Sequence, residues 1–281
     1  MGLLTRRESK ERRFVDRVAV VTGASSGLGR RFAVDLAERD AIVVGLARRA
    51  DLLAEVETKL RESSPRSRAL TCDVSDTEAY VAALRAIESE IGRIDVLLNN
   101  AGVEAPTPVD MGFNEAYRRI FEINFFGTVA GTLAVLPGMT ARGEGIIVNV
   151  ASDTARAPGP ETGAYAASKA AIAAFTESVA HEVADRGVHV HVLYPAWVPT
   201  AMGMSAIDEG VPMPPKPVRR TEAQVSELLL RRMGAGPMEI NAAALPLLAP
   251  IGRTLAPGLY ERSMRRRFAK LRATNEGHGE R

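Results

Sequence analysis

Tyr165 and Lys169 are the most chemically informative pair in this sequence of 281 residues, four apart in the helical segment GAYAASKAAIAAF. That spacing places both side chains on one face of a helix. A tyrosine with its ordinary pKa of about 10 is a poor base at neutral pH. An ammonium ~4 Å away would favour the phenolate by about 4 kcal/mol and bring that pKa towards neutrality. The pair therefore predicts a tyrosine acid/base.

Two polar residues are candidates to complete such a site. Ser152 follows the apolar run GIIVNV, at a predicted strand end where open α/β sheets bind ligands. Its hydroxyl can hydrogen-bond a substrate oxygen as charge develops there. Asn124 lies among apolar neighbours in a predicted helix. Its amide either makes a structural hydrogen bond, as buried amides must, or forms part of a proton path.

The glycine-rich segment TGASSGLG, residues 22–29, lies between a β-branched run and a helical pattern. Glycines at 23, 27 and 29 permit a tight turn, and the following helix N-terminus offers N–H groups and a positive dipole end to a phosphate. The alternative is an ordinary turn, but the strand–turn–helix context favours a phosphate-binding loop.

Arg48 and Arg49 stand at the end of the second predicted strand. NAD sites usually place an acidic residue there for the ribose hydroxyls. A guanidinium instead pairs bidentately with a 2′-phosphate. The two arginines therefore favour NADP(H) over NAD(H), which stays possible; the alternative is that both are solvated surface charges.

Elements that would position these residues follow from the hydrophobic pattern. Continuous apolar runs alternate with segments of 3.6-residue periodicity, which predicts a doubly wound α/β domain whose parallel sheet is covered on both faces. The predicted strands are 17–22, 42–46, 69–72, 94–98, 145–150, 188–193 and 238–243. The predicted helices are 28–39, 51–62, 76–91, 112–141, 163–186 and 221–233, the last capped by Thr221.

The ends of the chain differ from its middle. Residues 1–14 are expected to be a basic, frayed lead-in, and 15–250 a single α/β domain. Proline- and methionine-rich residues 195–220 are either a surface loop or part of a substrate lid, which we place at 196–235. Residues 251–281 form a basic extension. The overlapping segment 245–272 mixes apolar residues with arginines, which suits either a helix packed on the domain with solvated arginines, the favoured interpretation, or contact with an anionic membrane.

Composition excludes several classes of function. The formal charge of +2 and the 5% aromatic content give no case for nucleic-acid binding. The single cysteine, Cys72, excludes an internal disulfide and thiolate metal sites and fits a reducing, cytoplasmic compartment. No secretory signal or spanning apolar run is found. The histidines His181, His189 and His191 fit no metal pattern, so we expect no metal.

In their order along the chain these motifs resemble the short-chain dehydrogenase/reductase family, the type with a GxxxGxG loop and a YxxxK site. The resemblance runs from about Val15 to Thr200 and includes Asp73-Val74, NNAG at 99–102 and Val198-Pro199-Thr200. It implies a Rossmann fold and an NAD(P)-dependent oxidoreductase acting on CH–OH groups. It also implies a homodimer or homotetramer assembled through helices 112–141 and 163–186.

The resemblance also implies roles for individual residues. Tyr165 would be the acid/base, Lys169 would lower its pKa and bind the nicotinamide ribose, Ser152 would polarise the carbonyl, and Asn124 would hold a proton-relaying water. Asp73 and Val74 would contact adenine, and Val198 and Thr200 the carboxamide. The implied cofactor-binding residues are Gly23, Ser25, Ser26, Gly27, Leu28, Gly29, Arg48, Arg49, Asp73, Val74, Asn100, Ala101, Gly102, Tyr165, Lys169, Pro195, Val198 and Thr200.

Two departures from the family pattern are visible. Family members commonly have Pro-Gly after the sixth strand, whereas this chain has Pro195-Ala196, and alanine lacks the freedom of glycine at positive φ. The turn is therefore expected to differ. Asp153 places an acid beside Ser152, and we expect its side chain to face solvent.

The leading functional hypothesis is an NADP-dependent oxidoreductase acting on a small-molecule ketone or alcohol. The apolar lid favours a bulky apolar substrate. Alternatives are a β-ketoacyl-type reductase of lipid synthesis, against which the C-terminal extension argues, and a non-catalytic NADP-binding regulator.

Overall fold

A seven-stranded parallel sheet forms the centre of the protein, in the order β3-β2-β1-β4-β5-β6-β7. The structure is a computed structural model and describes residues 12–208 and 213–276. Together with its flanking helices this sheet confirms the expected doubly wound, Rossmann-like α/β fold. The strands are β1 Val18–Thr22, β2 Ile42–Ala47, β3 Arg68–Thr71, β4 Ile94–Asn99, β5 Gly145–Val150, β6 Val188–Tyr194 and β7 Glu239–Asn241.

Helices cover both faces of the sheet, since successive residues of a strand point to opposite sides. Ala19 and Val21 of β1 pack in a core with α1, α2 and α8, whereas Val18 and Val20 pack with α3, α5 and α6. The helices are α1 Gly27–Ala37, α2 Ala50–Ser63, α3 Thr77–Glu90, α4 Glu115–Phe121, α5 Gly127–Arg142, α6 Gly163–Glu182, α7 Ala201–Asp208, α8 Glu222–Arg232, α9 Leu248–Leu255 and α10 Pro257–Glu276.

The strand order reverses between β1 and β4, where successive crossovers lead to opposite sides. In open α/β sheets the ligand crevice lies at the carboxyl ends of the strands beside this reversal. The glycine segment follows β1, and Asn100 follows β4. The topology therefore brings the candidate cofactor residues to one edge of the sheet.

The predicted helix 112–141 is interrupted by a π-helical turn, Glu122–Phe126, between α4 and α5. Among the described residues, the stretch Glu115–Arg142 alone has the length and apolar composition of a membrane span. Its α5 part packs against α3 and β4, as a core helix of a globular protein does.

Both ends of the chain show more structure than their composition indicates. Residues 1–11 of the predicted lead-in lie outside the described residues, but Arg12–Phe14 form a 3-10 turn, and Phe14 is buried in the core. The segment 195–220 contains α7 and the 3-10 turn Lys216–Val218, with residues 209–212 outside the described part. Thr221 caps α8 as expected, in a capping box with Gln224.

Candidate active site

The turn between β1 and α1 has the conformation that its glycines permit. Gly23 and Gly27 have φ of +68° and +55°, and a Cβ on Gly29 would clash with the Gly23 carbonyl oxygen. Ser26, at the N-cap of α1, makes no side-chain capping hydrogen bond. The first N–H groups of α1 are thus left for an anion. This cradle fits the pyrophosphate of a dinucleotide.

Arg49 reaches across the cleft to this glycine turn. Its Nη2 donates to Ser25 Oγ at 2.9 Å and to Ser26 Oγ at 2.7 Å. Arg48 Nη1 lies 3.8 Å from Asp73 Oδ2, with both side chains nearly half exposed. The two guanidinium groups therefore flank the open space between the ends of β1, β2 and β3.

Asn100 joins the ends of β1 and β4. Its Nδ2 donates to the Thr22 carbonyl oxygen at 2.9 Å, and its backbone N–H donates to Thr22 Oγ1 at 3.0 Å. Asn99, one residue earlier, is fully buried and donates to Asn149 Oδ1 of β5 at 2.8 Å. The asparagines of the NNAG motif thus hold three neighbouring strands in register.

Tyr165 and Lys169 lie on the same face of α6, directly below the end of β5. Both side chains are buried, and the Tyr165 hydroxyl lies close enough to Ser152 for that residue to oppose the rise of its pKa. Lys169 Nζ donates to the Val150 carbonyl oxygen at 2.8 Å and lies 5.8 Å from the centroid of the Tyr165 ring. The three residues expected to act together are therefore adjacent in the structure.

The lowered tyrosine pKa expected from the sequence is wrong for this structure. Burial raises the pKa of Tyr165, the nearby Glu104 carboxyl raises it further, and the Ser152 hydrogen bond opposes them. Burial also lowers the pKa of Lys169 to about 8, against the attraction of Glu104. Because both side chains are buried, the cost of desolvating their charged forms outweighs the expected attraction between the Tyr165 phenolate and the Lys169 ammonium. Tyr165 is therefore a protonated phenol at neutral pH.

Asn124 lies at the centre of the π-helical turn and is fully buried. Its Oδ1 accepts from the Val103 N–H at 2.8 Å, and its Nδ2 donates to the Val103 carbonyl at 3.0 Å and to Ser168 Oγ at 3.1 Å. Its backbone carbonyl accepts from Thr128 Oγ1 at 2.7 Å. The side-chain amide thus holds the segment after Gly102 and α6 against the π-helical turn.

The expectation that the Asp153 side chain faces solvent is wrong. Its Oδ1 is buried without a hydrogen-bond partner, and burial raises its pKa to about 6 although Arg156 opposes this. Arg156 stacks 3.4 Å above the Tyr194 ring and binds Asn241 Oδ1 and Glu239 Oε2 of β7, each at 2.6 Å. The loop after Ser152 is therefore fastened to the edge strand of the sheet.

The turn after β6 keeps the conformation that glycine would supply, since Ala196 has a φ of +64°. Thr200 Oγ1 accepts from the Gly203 N–H in the first turn of α7, and the Thr200 methyl would lie 3.2 Å from a Cβ on Gly27. The Val198 side chain is buried in the core with Val225 and Leu230. Only the backbone of Val198 is left to contact a cofactor.

One cleft collects nearly all of the candidate cofactor residues. Val198 is the exception. Those that line the cleft are Gly23, Ser25, Ser26, Gly27, Leu28, Gly29, Arg48, Arg49, Asp73, Val74, Asn100, Ala101, Gly102, Tyr165, Lys169, Pro195 and Thr200. The cleft is also lined by residues that the sequence analysis did not assign to the site: Leu46, Ala47, Cys72, Val103, Ile123, Val150, Ala151, Ala201 and Met202.

Glu104 and Arg156 act on the site and were missed by the sequence analysis. Glu104 comes two residues after the NNAG motif, which was a usable signal of its closeness. Its own pKa is raised by burial and lowered by Lys169. Arg156 follows Ser152 by four residues, but its partners on β7 lie more than 80 residues further along the chain. No local pattern indicates such a contact.

Cysteine and histidine make no metal site in the part of the chain that the structure describes, where no group of three or more potential ligands occurs. Burial raises the pKa of the Cys72 thiol to about 11. His191 Nδ1 lies 2.9 Å from the Pro237 carbonyl oxygen, and its Nε2 accepts from the Gly234 N–H at 2.9 Å. His191 therefore has a structural role: its ring links β6 to the segment before β7.

Comparison with known proteins gives a consistent family. A family model described as short chain dehydrogenase matches residues 17–210. The dehydrogenase/reductase SDR family member 7B of Bos taurus is 33% identical over 267 residues, covering 91% of this chain and 82% of the relative. The 3-oxoacyl-[acyl-carrier-protein] reductase FabG of Vibrio harveyi is 33% identical over 234 residues, covering 83% of this chain and 90% of the relative.

Solved structures agree with this result. A variant of the actinorhodin polyketide ketoreductase, solved with NADPH, has a TM-score of 0.74 and 28% identity, covering 81% of this chain and 96% of that chain. A short chain dehydrogenase/reductase from Burkholderia phymatum, solved with NAD, has a TM-score of 0.77 and 26% identity, covering 88% and 95%.

Proposed function

This chain belongs to the short chain dehydrogenase family, whose members are oxidoreductases of alcohol and ketone groups that use nicotinamide cofactors. On that premise we propose that it transfers hydride between NADP(H) and a carbonyl or secondary alcohol, with Tyr165 as acid/base. The observation that carries the proposal is the buried Tyr165 beside Ser152 and Lys169, with Tyr165 and Lys169 both lining the cleft.

The side chains act on the substrate oxygen. When bound, the nicotinamide supplies or accepts the hydride. Ser152 and Tyr165 offer hydroxyl hydrogens to the carbonyl oxygen, where negative charge develops during reduction. Tyr165 then passes its proton to that oxygen, and its buried, protonated state suits this role. The phenolate left behind is stabilised by the Ser152 hydrogen bond and the Lys169 ammonium; oxidation reverses these steps.

The charge of Lys169 gives this mechanism a pH limit. Its pKa is lowered to about 8, so the ammonium is lost above that pH and the Tyr165 phenolate loses its counterion. We expect the rate of ketone reduction to fall above about pH 8 in a plot of kcat/KM against pH. A rate that is flat to pH 10 would contradict the role of Lys169.

Replacement of Tyr165 tests the acid/base directly. Tyr165→Phe should lower kcat with NADPH and a reactive ketone by roughly 10²–10⁴-fold while NADPH binding, followed by fluorescence, is kept. Tyr260→Phe, on the remote α10, is the matched control. Undiminished turnover of Tyr165→Phe would overturn the assignment. NADPH binding by the unmodified protein without turnover of any ketone would favour the regulator instead.

The preference for NADP(H) is supported by the two arginines at the end of β2. A 2′-phosphate placed beside the Arg49–Ser25–Ser26 cluster would meet guanidinium and hydroxyl donors, and no acidic residue stands at the β2 end. Arg49→Gln should weaken NADPH binding about tenfold or more and leave NADH binding nearly unchanged. Arg85→Gln, exposed on α3, is the control. Equal affinity of the unmodified protein for both cofactors would contradict the preference.

The substrate class is proposed from the lid. Met202 lines the cleft, and Met213, also within the lid segment, is exposed, which favours a bulky apolar ketone. A β-ketoacyl substrate is the second candidate, because a 3-oxoacyl-[acyl-carrier-protein] reductase and a polyketide ketoreductase are among the similar proteins. A panel of aliphatic, steroid-like and aromatic ketones beside β-ketoacyl thioesters, followed by NADPH absorbance, separates the two.

A cytoplasmic location and a homo-oligomer complete the proposal. The single buried cysteine suits a reducing compartment. Exposed Phe126 and Leu133, seven residues apart across the π turn and α5, form an apolar surface that a second copy would cover.

A further inference from the structure

Helix α9 is amphipathic, but its apolar side faces away from the protein. Leu248, Ile251 and Leu255 recur at the spacing of one helical face, and all three are exposed. The less exposed positions of α9 are Ala249, Pro250 and Gly252. A surface helix of a globular domain ordinarily turns its apolar stripe inward. This orientation contradicts the favoured interpretation of the extension as a helix packed on the domain by its apolar residues.

The apolar surface extends beyond α9 in both directions. Leu245 and Leu247 of the preceding 3-10 turn are exposed, as is Leu259 at the start of α10, with 68% of its surface accessible. That 3-10 turn also contacts the lid turn Lys216–Val218. The apolar surface formed by Leu245, Leu247, Leu248, Ile251, Leu255 and Leu259 therefore adjoins the lid of the cleft.

Positive charge accompanies this surface. Residues 253–276 contain seven Lys and Arg and two carboxylates, whereas the whole chain has a formal charge of only +2. Arg262, Arg265 and Arg266 of α10 are exposed, and of these Arg265 lies 3.8 Å from Glu261. The rest of the chain thus has an excess of carboxylates. The molecule is electrically asymmetric, with its positive end beside exposed leucines.

We propose that α9 and α10 bind the surface of an anionic lipid bilayer, with the leucine side chains in the acyl boundary and the arginines against lipid phosphates. Exposed aliphatic residues next to arginines are the combination that interfacial helices use. A second copy of the chain is disfavoured as the occupant, because residues 253–276 have seven Lys and Arg against two carboxylates, so two copies of this segment would repel each other. An acidic protein partner is a separate hypothesis that the test below distinguishes.

Vesicle flotation with the full chain tests the proposal. We expect binding to vesicles of phosphatidylcholine with phosphatidylglycerol, at least tenfold weaker binding to phosphatidylcholine alone, and release by high salt. The double variant Leu255→Ser/Leu259→Ser should reduce binding about tenfold or more. Both side chains are largely exposed, at 78% and 68%, so the fold is kept. Val109→Ser, at a remote residue that is 93% exposed, should change nothing.

The charged half of the surface is tested separately. Arg262→Gln/Arg266→Gln should weaken binding to the anionic vesicles by about fivefold for each arginine removed. Arg61→Gln/Arg85→Gln, on α2 and α3, is the matched control. The proposal is overturned if anionic vesicles do not bind the unmodified protein, or if the α10 and control variants weaken binding equally. It is also overturned if light scattering shows that Leu255→Ser/Leu259→Ser dissociates an oligomer, which would make this a contact between copies.

Discussion

At the scale of single residues, Ala196 has a strained backbone conformation. Its φ of +64° lies in the left-handed region, which costs a residue with a Cβ about 1–2 kcal/mol. Ala196→Gly removes that cost but adds freedom to the unfolded chain. We expect a net gain of about 1 kcal/mol in the free energy of unfolding, measured by urea denaturation. Ala54→Gly, in the middle of α2, should instead destabilise by a similar amount.

Asp153 should make the stability of the protein depend on pH. Its folded pKa of about 6 lies above the unfolded value, so its ionisation destabilises the folded state as pH rises from about 4 to 6. Asp153→Asn removes this effect. The variant should gain about 1–3 kcal/mol relative to the unmodified protein at pH 7, and much less at pH 4.

Denaturation of both proteins at the two pH values measures this difference. Asp185→Asn, on an exposed turn, is the control and should show no such change with pH. If Asp153→Asn raised the free energy of unfolding equally at pH 4 and pH 7, the raised pKa of the buried Asp153 carboxyl would be contradicted.

Residue identities in the site were predictable from the sequence to a large degree. The glycines, arginines and asparagines of the cleft follow from local spacing, because a strand–turn–helix unit fixes where each points. The pKa of Tyr165 was not predictable, because it depends on how deeply α6 and β5 bury the hydroxyl and on the unforeseen Glu104. Burial is a tertiary property that no spacing of residues records.

At the scale of elements, Arg156 links the loop after β5 to β7. Arg156→Met would remove two hydrogen-bonded contacts and the counter-charge of Asp153 and Glu239. Arg156 is 11% exposed but Glu239 is 40% exposed, so we expect a loss of about 2 kcal/mol in urea denaturation, between the values for buried and exposed pairs. Arg68→Met, which breaks the exposed pair with Glu90, is the matched control and should cost under about 1 kcal/mol. Equal losses would show that the Arg156 cluster is not stabilising.

Element boundaries were also predicted to within a few residues for most strands and helices, since apolar periodicity records which face is buried. The π turn at Glu122–Phe126 was not, because an inserted residue leaves the apolar pattern of the helix almost intact. The helix α7 in the lid was missed for a different reason: its methionines and glycine resemble a loop in composition.

At the scale of the whole molecule, the proposed homo-oligomer would use the surface of the exposed Phe126 and Leu133. Leu133→Arg places a charge at the centre of that surface and should shift the protein to a monomer in light scattering. Val109→Arg, exposed on a separate turn, is the control and should leave the oligomer unchanged. A monomeric unmodified protein would contradict the prediction.

The contact between Arg156 and Asn241 joins residues 85 positions apart. During synthesis the loop that carries Ser152 therefore emerges long before the strand that holds it. A nascent chain ending before β7 would already contain the glycine turn, Tyr165 and Lys169, yet its serine loop would lack the contacts of Arg156 with Glu239 and Asn241. Full attachment of this loop is thus tied to the arrival of the last strand.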